Sequence, residues 1–255
     1  MNANLMRKVK LSYNKYGLNK TIIKVIKYPV NHLKIKRFTE KMVRFDDNED
    51  RWTWAWTSNS WRKDESVSGD GSSLEYTENL RRELPHLFKK FSIKTIFDAP
   101  CGDLNWMGEM LPLSSIEYKG GDIVKPLVDE LDQKFGCPNV SFIHFDLIKM
   151  VPPKCDLMIC RDCIIHFSYS DTRAMLENFL LSGSKYLLTT THINTGGQFT
   201  NTNILNGAFH MVDLFSAPHN FPRKPLFIIQ DWIPPHPERQ MCLWDREQIH
   251  SAIFG

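Results

Sequence analysis

A chain of 255 residues, 42% of them hydrophobic and 24% charged, can build one sizeable core and has neither a disordered nor a fibrous composition. No run of eighteen apolar residues and no signal-peptide pattern occurs, which argues against a membrane span and for a cytoplasmic protein. The formal charge of +3 hides an asymmetry: residues 1–44 hold twelve Lys or Arg against the single acid Glu40, which leaves the remainder acidic.

That basic segment divides the chain into an arm, residues 1–45, and a body, residues 46–255. In the arm, Leu18, Ile22, Val25 and Ile26 share one helical face until Pro29 ends the run. Such a face either packs on the body or lies on an anionic surface, and peripheral contact with the inner face of a membrane is one expectation. The body opens with "DDNEDRWTWAWTSNSWR", which holds four of the seven tryptophans. A Gly-Ser loop follows, "SGDGSS", in which Ser72 or Ser73 can cap a helix running from Glu75 through Leu80, Leu84, Leu87 and Phe88. Pro85 is expected to bend or shorten that helix.

Strands and helices then alternate. Lys94–Asp98, Ile116–Asp122, Val140–Asp146, Asp156–Arg161 and Lys185–Thr191 read as strands. Asn105–Met110, Pro126–Phe135 and about Asp171–Leu180 read as helices between them. That alternation predicts a parallel sheet covered on both faces. Leu226–Trp232 and Gln240–Trp244 are joined by "IPPHPER", too short for a crossover, so this last pair is expected to be an antiparallel hairpin at the edge.

Six cysteines include one CxxC, Cys160 and Cys163, without a second Cys/His pair. Buried reduced thiols are expected, with no metal site. The acids are more telling, because Asp98, Asp122 and Asp146 each close a strand at the edge where open α/β sheets bind ligands. An acid about twenty residues past the first turn suits a ribose diol. The turn itself, "DAPCGD", has one glycine and two acids. It would repel a pyrophosphate and suit a ligand carrying ammonium or sulfonium.

These residues carry a family resemblance. "DAPCGD", "YKGGD", "HFDL" and "CDLMICRDCIIHFS" resemble the motifs of class I S-adenosylmethionine-dependent methyltransferases, over about residues 90–250. Pro100 and Leu104 stand where the first and third glycines of that superfamily's turn are usual. "SVSGDGSSLEYTENLR…LP" joined to "DAPCGDLNWM" is similar to a bacterial group found among capsule and surface-glycan genes. The resemblance implies a Rossmann-like seven-stranded α/β sheet, parallel with an antiparallel edge hairpin, S-adenosylmethionine as cofactor and S-adenosylhomocysteine as product. It places Asp98, Ala99, Pro100, Gly102, Asp103 and Trp106 around the cofactor. Asp122 with Ile123 would hold the ribose, and Asp146 with Leu147 the adenine. Arg161 would adjoin the methionine moiety, with Gly69 and Ser72 closing over its carboxylate.

O-methylation needs a base for the acceptor hydroxyl, and histidine suits neutral pH. His166 and His192 are the candidates, with Asp162 as an orienting acid or as the base itself. His210, Asn194 and Arg223 are expected on the acceptor side, with a sugar, sugar nucleotide or related glycan precursor as acceptor. Two other readings compete. One is an RNA methyltransferase tracking phosphates with the arm, disfavoured because no NPPY-like motif follows the fourth strand. The other is a catalytically silent module of the same fold that docks partners through the arm and the tryptophan-rich segment.

Overall fold

The computed structural model describes residues 37–59, 65–113 and 115–255, with a few isolated positions before residue 18. The amphipathic face expected at Leu18–Ile26, and the lipid or polyanion contact attached to it, lie outside the described residues.

Seven strands form one sheet: β1 (Thr95–Asp98), β2 (Glu117–Asp122), β3 (Val140–His144), β4 (Leu157–Cys160), β5 (Tyr186–His192), β6 (Phe227–Gln230) and β7 (Arg239–Asp245). Their order is β3-β2-β1-β4-β5-β7-β6. β1 to β5 run parallel, whereas β7 is antiparallel to both β5 and β6. The chain direction across the sheet reverses between β1 and β4, which opens a crevice at the carboxyl ends of those strands. Besides a helical stretch at 37–42, the described residues form the helices α1 (Asn48–Thr57), α2 (Leu74–Lys90), α3 (Lys125–Phe135), α4 (Tyr169–Ser182) and α5 (Arg246–Phe254).

Strand periodicity divides the core in two. Ile96 faces a layer with Leu80, Leu84 and Leu87 of α2 and Leu131 of α3. The next residue, Phe97, faces Met175 and Phe179 of α4 and Ile249 of α5. Leu187 and Leu188 alternate in the same way on β5. Among the described residues, no helix is long and apolar enough to cross a membrane.

Helix starts follow side-chain chemistry. Asp47 caps α1, Ser73 caps α2, Ser168 caps α4, and Asp245 forms a capping box with Gln248 at α5. The segment ahead of α1 packs as well. Met42 is fully buried, and Arg51 donates from Nε to the Met42 carbonyl at 2.8 Å and also bonds the Phe45 carbonyl.

Several expectations need correction. Of the two outcomes expected for Pro85, bending or shortening, the shortening does not occur: the helix continues to Lys90. Burying Leu84, Leu87 and Phe88 at about 1.5–3 kcal/mol each offsets the roughly 3 kcal/mol cost of an interior proline. Asn105–Met110 is not an α-helix; only Gly108–Met110 forms a 3₁₀ turn. Leu104 at φ +60° and the Asp103 carboxylate, which accepts from Asn105 N, hold the chain in a turn instead. β3 ends at His144, so Asp146 lies two residues beyond its strand. The fourth strand is likewise shorter at both ends than expected, and α5 was not anticipated.

The glycine pair in β2 follows from aromatic packing on both sides. A Cβ at Gly120 would sit 2.6 Å from Phe142, and one at Gly121 would sit 2.7 Å from Phe97. Both rings lie in the tightly packed sheet layers, so neither can retreat freely. Gly121→Ala is therefore expected to destabilise the fold by about 1–3 kcal/mol, read as a lower midpoint in urea or thermal unfolding.

Candidate functional site

The crevice at the β1/β4 switch point is an open cleft with about 1160 Å³ of space, the open solvent at its mouth included. Its floor is made by the turn after β1 and by the segments leaving β2, β3 and β4, and α1 lies over it. Asp98, Asp122 and Asp146 all line it. All three are buried, yet each meets a different environment.

Asp98 Oδ2 accepts from the Tyr118 hydroxyl at 2.8 Å. Burial raises its pKa to about 7, and the Tyr118 hydrogen bond and Arg161 only partly counter that. Asp122 is bonded through both oxygens, Oδ2 from Gly102 N at 3.0 Å and Oδ1 from Val124 N at 3.0 Å. Burial still raises its pKa, against those amide bonds. Each oxygen keeps a second lone pair, the pattern that receives two vicinal hydroxyls. Asp146 Oδ1 accepts from Ile148 N at 2.8 Å and Oδ2 lies 3.5 Å from Lys149 Nζ, which fixes the Leu147–Ile148 turn against the cleft.

Arg161, just past the end of β4, also lines the cleft, and one edge of its guanidinium is committed, while Nη1 lies 3.6 Å from Asp162 Oδ2. Nε and Nη2 bond Asp231 at 2.9 and 3.0 Å, and Nη2 donates to the Gly71 carbonyl at 2.7 Å. Asp162, beside it, holds φ +55°, and Arg239 Nη2 lies 2.6 Å from its Oδ2. Burial would raise the Asp162 pKa, but Arg239 and Arg161 outweigh it and hold the carboxyl below its ordinary value. Asp162 is thus ionised near neutrality, and a carboxylate with so low a pKa is a weak proton acceptor. Gly71 is required here, because a Cβ would come within 2.9 Å of both Arg239 and Asp162.

Of the histidines, His166 lines the cleft. Its Nδ1 donates to the Ala208 carbonyl at 2.8 Å, which leaves Nε2 as the ring's lone-pair nitrogen. Burial depresses its pKa below 6.5, so it is neutral at physiological pH. His192 is displaced from the expected role. It is buried off the cleft, its Nδ1 accepts from Val212 N at 3.1 Å, and burial with the nearby Arg239 lowers its pKa to about 4. His210 faces carbonyls through both nitrogens, Thr202 O at 2.8 Å and Ile164 O at 3.3 Å, and so braces the long loop before β6.

Other expected contacts are also structural. Asn194 spends its amide on Phe199 and Asp213. Arg223 is exposed ahead of β6, whose first residue pairs with Leu243, near the amino end of β5; it is therefore at the opposite edge of the sheet. The Asp103 carboxylate accepts from Ser66 Oγ, Val67 N, Ser68 Oγ and Asn105 N, which saturates it and fastens the 66–68 loop. Ala99 is buried with its N–H on the Ile159 carbonyl, and Gly69 opens a 3₁₀ turn away from the cleft, where Val67, Ser68 and Ser72 form the wall. Pro100, Gly102, Trp106, Ile123 and Leu147 do line it.

Sequence reasoning gave no site role to α1. Asn48, Trp52 and Trp56 recur every four residues along it and all face the cleft. The Trp52 ring meets His166 edge-on, with centroids 5.3 Å apart. The four-residue spacing was the available signal; nothing local says what that face covers.

No family model matches the chain, and no curated protein does. Solved structures do share its fold. The 1,6-didemethyltoxoflavin-N1-methyltransferase of Burkholderia thailandensis, solved with bound 1,6-didemethyltoxoflavin and S-adenosylhomocysteine, superimposes with a TM-score of 0.55 at 13% identity, covering 77% of this chain and 86% of that one. The magnesium protoporphyrin IX methyltransferase of Synechocystis with bound S-adenosylmethionine gives 0.53 at 14% identity, over 78% and 97%. The N-methyltransferase NodS of Bradyrhizobium japonicum gives 0.50 at 9%, over 67% and 96%. The chain has the class I methyltransferase fold.

Asp98 titrates near 7 in the folded protein against an ordinary 3.8, so between those values the folded state holds a proton the unfolded chain has lost. Stability from this group therefore falls as pH rises through that window. Asp98→Asn, which keeps the Tyr118 contact without the charge, is expected to melt several degrees above wild type at pH 8 and within about 1 °C of it at pH 4. Thermal melts across pH check this.

Proposed function

We propose that this protein is an S-adenosylmethionine-dependent methyltransferase. The observation that carries the reading is one cleft at the sheet's switch point bounded by three buried carboxylates, one of them Asp122 with a free lone pair on each oxygen. The cleft fits the cofactor by its chemistry. Asp98 is a buried carboxylate whose nearest donor is a neutral phenol, an environment that an ammonium group would relieve. Asp122 suits the ribose diol, while Ile123, Leu147 and Ile148 supply apolar surface for a purine. When bound, the cofactor supplies a sulfonium-activated methyl group open to in-line displacement.

The finer reading is O-methylation of a sugar or related glycan precursor. It draws on the sequence resemblance to capsule-locus enzymes and on His166, whose Nε2 can accept a hydroxyl proton at neutral pH. Asp162, held by two arginines, acts on the electrostatics of that histidine and is itself a weak proton acceptor.

Calorimetric titration with S-adenosylmethionine and S-adenosylhomocysteine should show saturable binding of both. Asp122→Ala should weaken each about ten- to hundredfold, since hydrogen bonds to a charged group contribute about 1.5–3 kcal/mol. Absence of binding by folded wild type would overturn the reading.

In transfer assays from labelled cofactor to saccharide acceptors, His166→Ala should lower kcat about 10²- to 10⁴-fold while leaving S-adenosylhomocysteine affinity nearly intact. The wild-type rate should be level at neutral pH and fall below pH 6.5, as His166 gains the proton that disables it as a base. A rate indifferent to His166 would remove it from the chemistry.

A further inference from the structure

The lone pair of His166 is set by a contact from a distant part of the chain. A carbonyl oxygen can only accept, so the Ala208 carbonyl at 2.8 Å requires the proton on Nδ1. A neutral histidine side chain in water favours the opposite form, with the proton on Nε2. The ring therefore keeps its useful tautomer only while that carbonyl is aimed at it.

The turn ahead of the carbonyl does the aiming. Ala208 N donates to the Leu205 carbonyl at 3.1 Å, and Gly207, inside that turn, holds φ +83°. Gly207 N donates to the His166 carbonyl at 3.0 Å, and His210 N to the Ile165 carbonyl at 3.0 Å. The loop is thus laddered to the His166 segment on either side of the Ala208 contact. Gly207 also packs directly on Arg51: a Cβ there would sit 2.5 Å from Arg51 Cδ and 3.1 Å from Met42 Cβ.

Arg51 cannot withdraw from that contact. It is buried, with Nε donating to the Met42 carbonyl at 2.8 Å, Nη2 on the Phe45 carbonyl and Nη1 on the Asn48 side chain. A planar guanidinium spans three such acceptors, which a lysine ammonium does not. Met42, fully buried, backs the same surface. The Arg51 side chain is not part of the cleft wall, so any effect it has on chemistry passes through its neighbours.

We infer that Arg51 is a positioning residue for methyl transfer: it seats the Gly207 turn so that the Ala208 carbonyl holds the His166 proton on Nδ1 and leaves the lone pair on Nε2. This rests on the reading of His166 as the base and deepens it. The stretch from Met42 to Arg51, remote from the strand-end acids in sequence, then sets the protonation pattern of the site.

The test uses full-length protein labelled with nitrogen-15 histidine, at pH 8, where His166 is neutral. Two-bond proton–nitrogen correlation spectra show which ring nitrogen carries the proton, and His166→Gln identifies the signals. Wild type should show Nδ1 protonated and Nε2 bare. Gly207→Ala, which drives the turn off Arg51, and Arg51→Lys, which loses the three-acceptor span, should each shift His166 toward the Nε2–H form. With a saccharide acceptor that wild type methylates, each should lower kcat at least about tenfold, part of what a general base contributes. S-adenosylhomocysteine affinity should stay within about twofold of wild type and reports that the variants fold. Asp47→Ala removes the α1 cap but no acceptor of the Arg51 side chain, so it should lower the melting temperature and leave the tautomer unchanged.

A wild-type proton on Nε2 would overturn the inference, and that measurement needs no variant to fold. So would folded Gly207→Ala and Arg51→Lys proteins that keep the wild-type tautomer, or an equal shift in Asp47→Ala. Failure of wild type to bind S-adenosylhomocysteine would instead strike the methyltransferase reading and leave the tautomer result standing.

Discussion

The guanidinium of Arg161 against the carboxylate of Asp231 is the contact on which the site's shape depends. Arg161 lies just past the end of β4 at the switch point, and Asp231 follows the edge strand β6, 70 residues on. Arg239 closes the group by reaching Asp162 and donating from Nε to the Asp231 carbonyl. Two arginines and two aspartates thus neutralise one another where water is excluded. A complete buried set of this kind is tolerable, whereas loss of one member strands a charge at a cost of about 3–5 kcal/mol. The set also captures the Gly71 carbonyl, so one electrostatic unit joins the parallel sheet, the antiparallel hairpin and the loop that walls the cleft.

Around that unit, one residue type does several jobs because its surroundings differ. Asp98 is buried with a single phenolic donor and keeps a raised pKa. Asp122 is anchored by two amides and left with lone pairs toward the cleft. Asp103, only five residues after Asp98, is saturated by four donors and serves as a clasp. The floor therefore keeps charge in a low-dielectric place at some expense of stability, the usual mark of a site shaped for a ligand and not for the fold.

The roof follows a different logic. α1 has few charges facing the cleft and is fixed from behind by Arg51 and from its first turn by ion pairs to the β3 side. Exposed ion pairs contribute little each, so the buried arginine and Met42 carry most of the anchoring. Rigid placement matters because Trp52 touches His166, and a base is useful only where its lone pair meets the acceptor.

The succession of strands along the chain, the antiparallel final pair and the acids at the carboxyl edge were legible in one dimension, because strand period, connection length and strand-end residues are local properties. Asp98, Asp122, Asp146 and His166 were found by that reading and do meet in one cleft. The sequence could not decide which of three histidines lines it: His192 is buried with its Nδ1 lone pair on Val212 N, and His210 turns both ring nitrogens to carbonyls of Thr202 and Ile164, not to the cleft. Nor could it show that Asp103 points to a loop, that Arg223 falls at the opposite edge, or that Pro85 rides inside a continuous helix. For Asp103 and His192 those outcomes turn on partners 36 and 20 residues away, and hydrogen-bond saturation and burial are settled only when such distant segments pack.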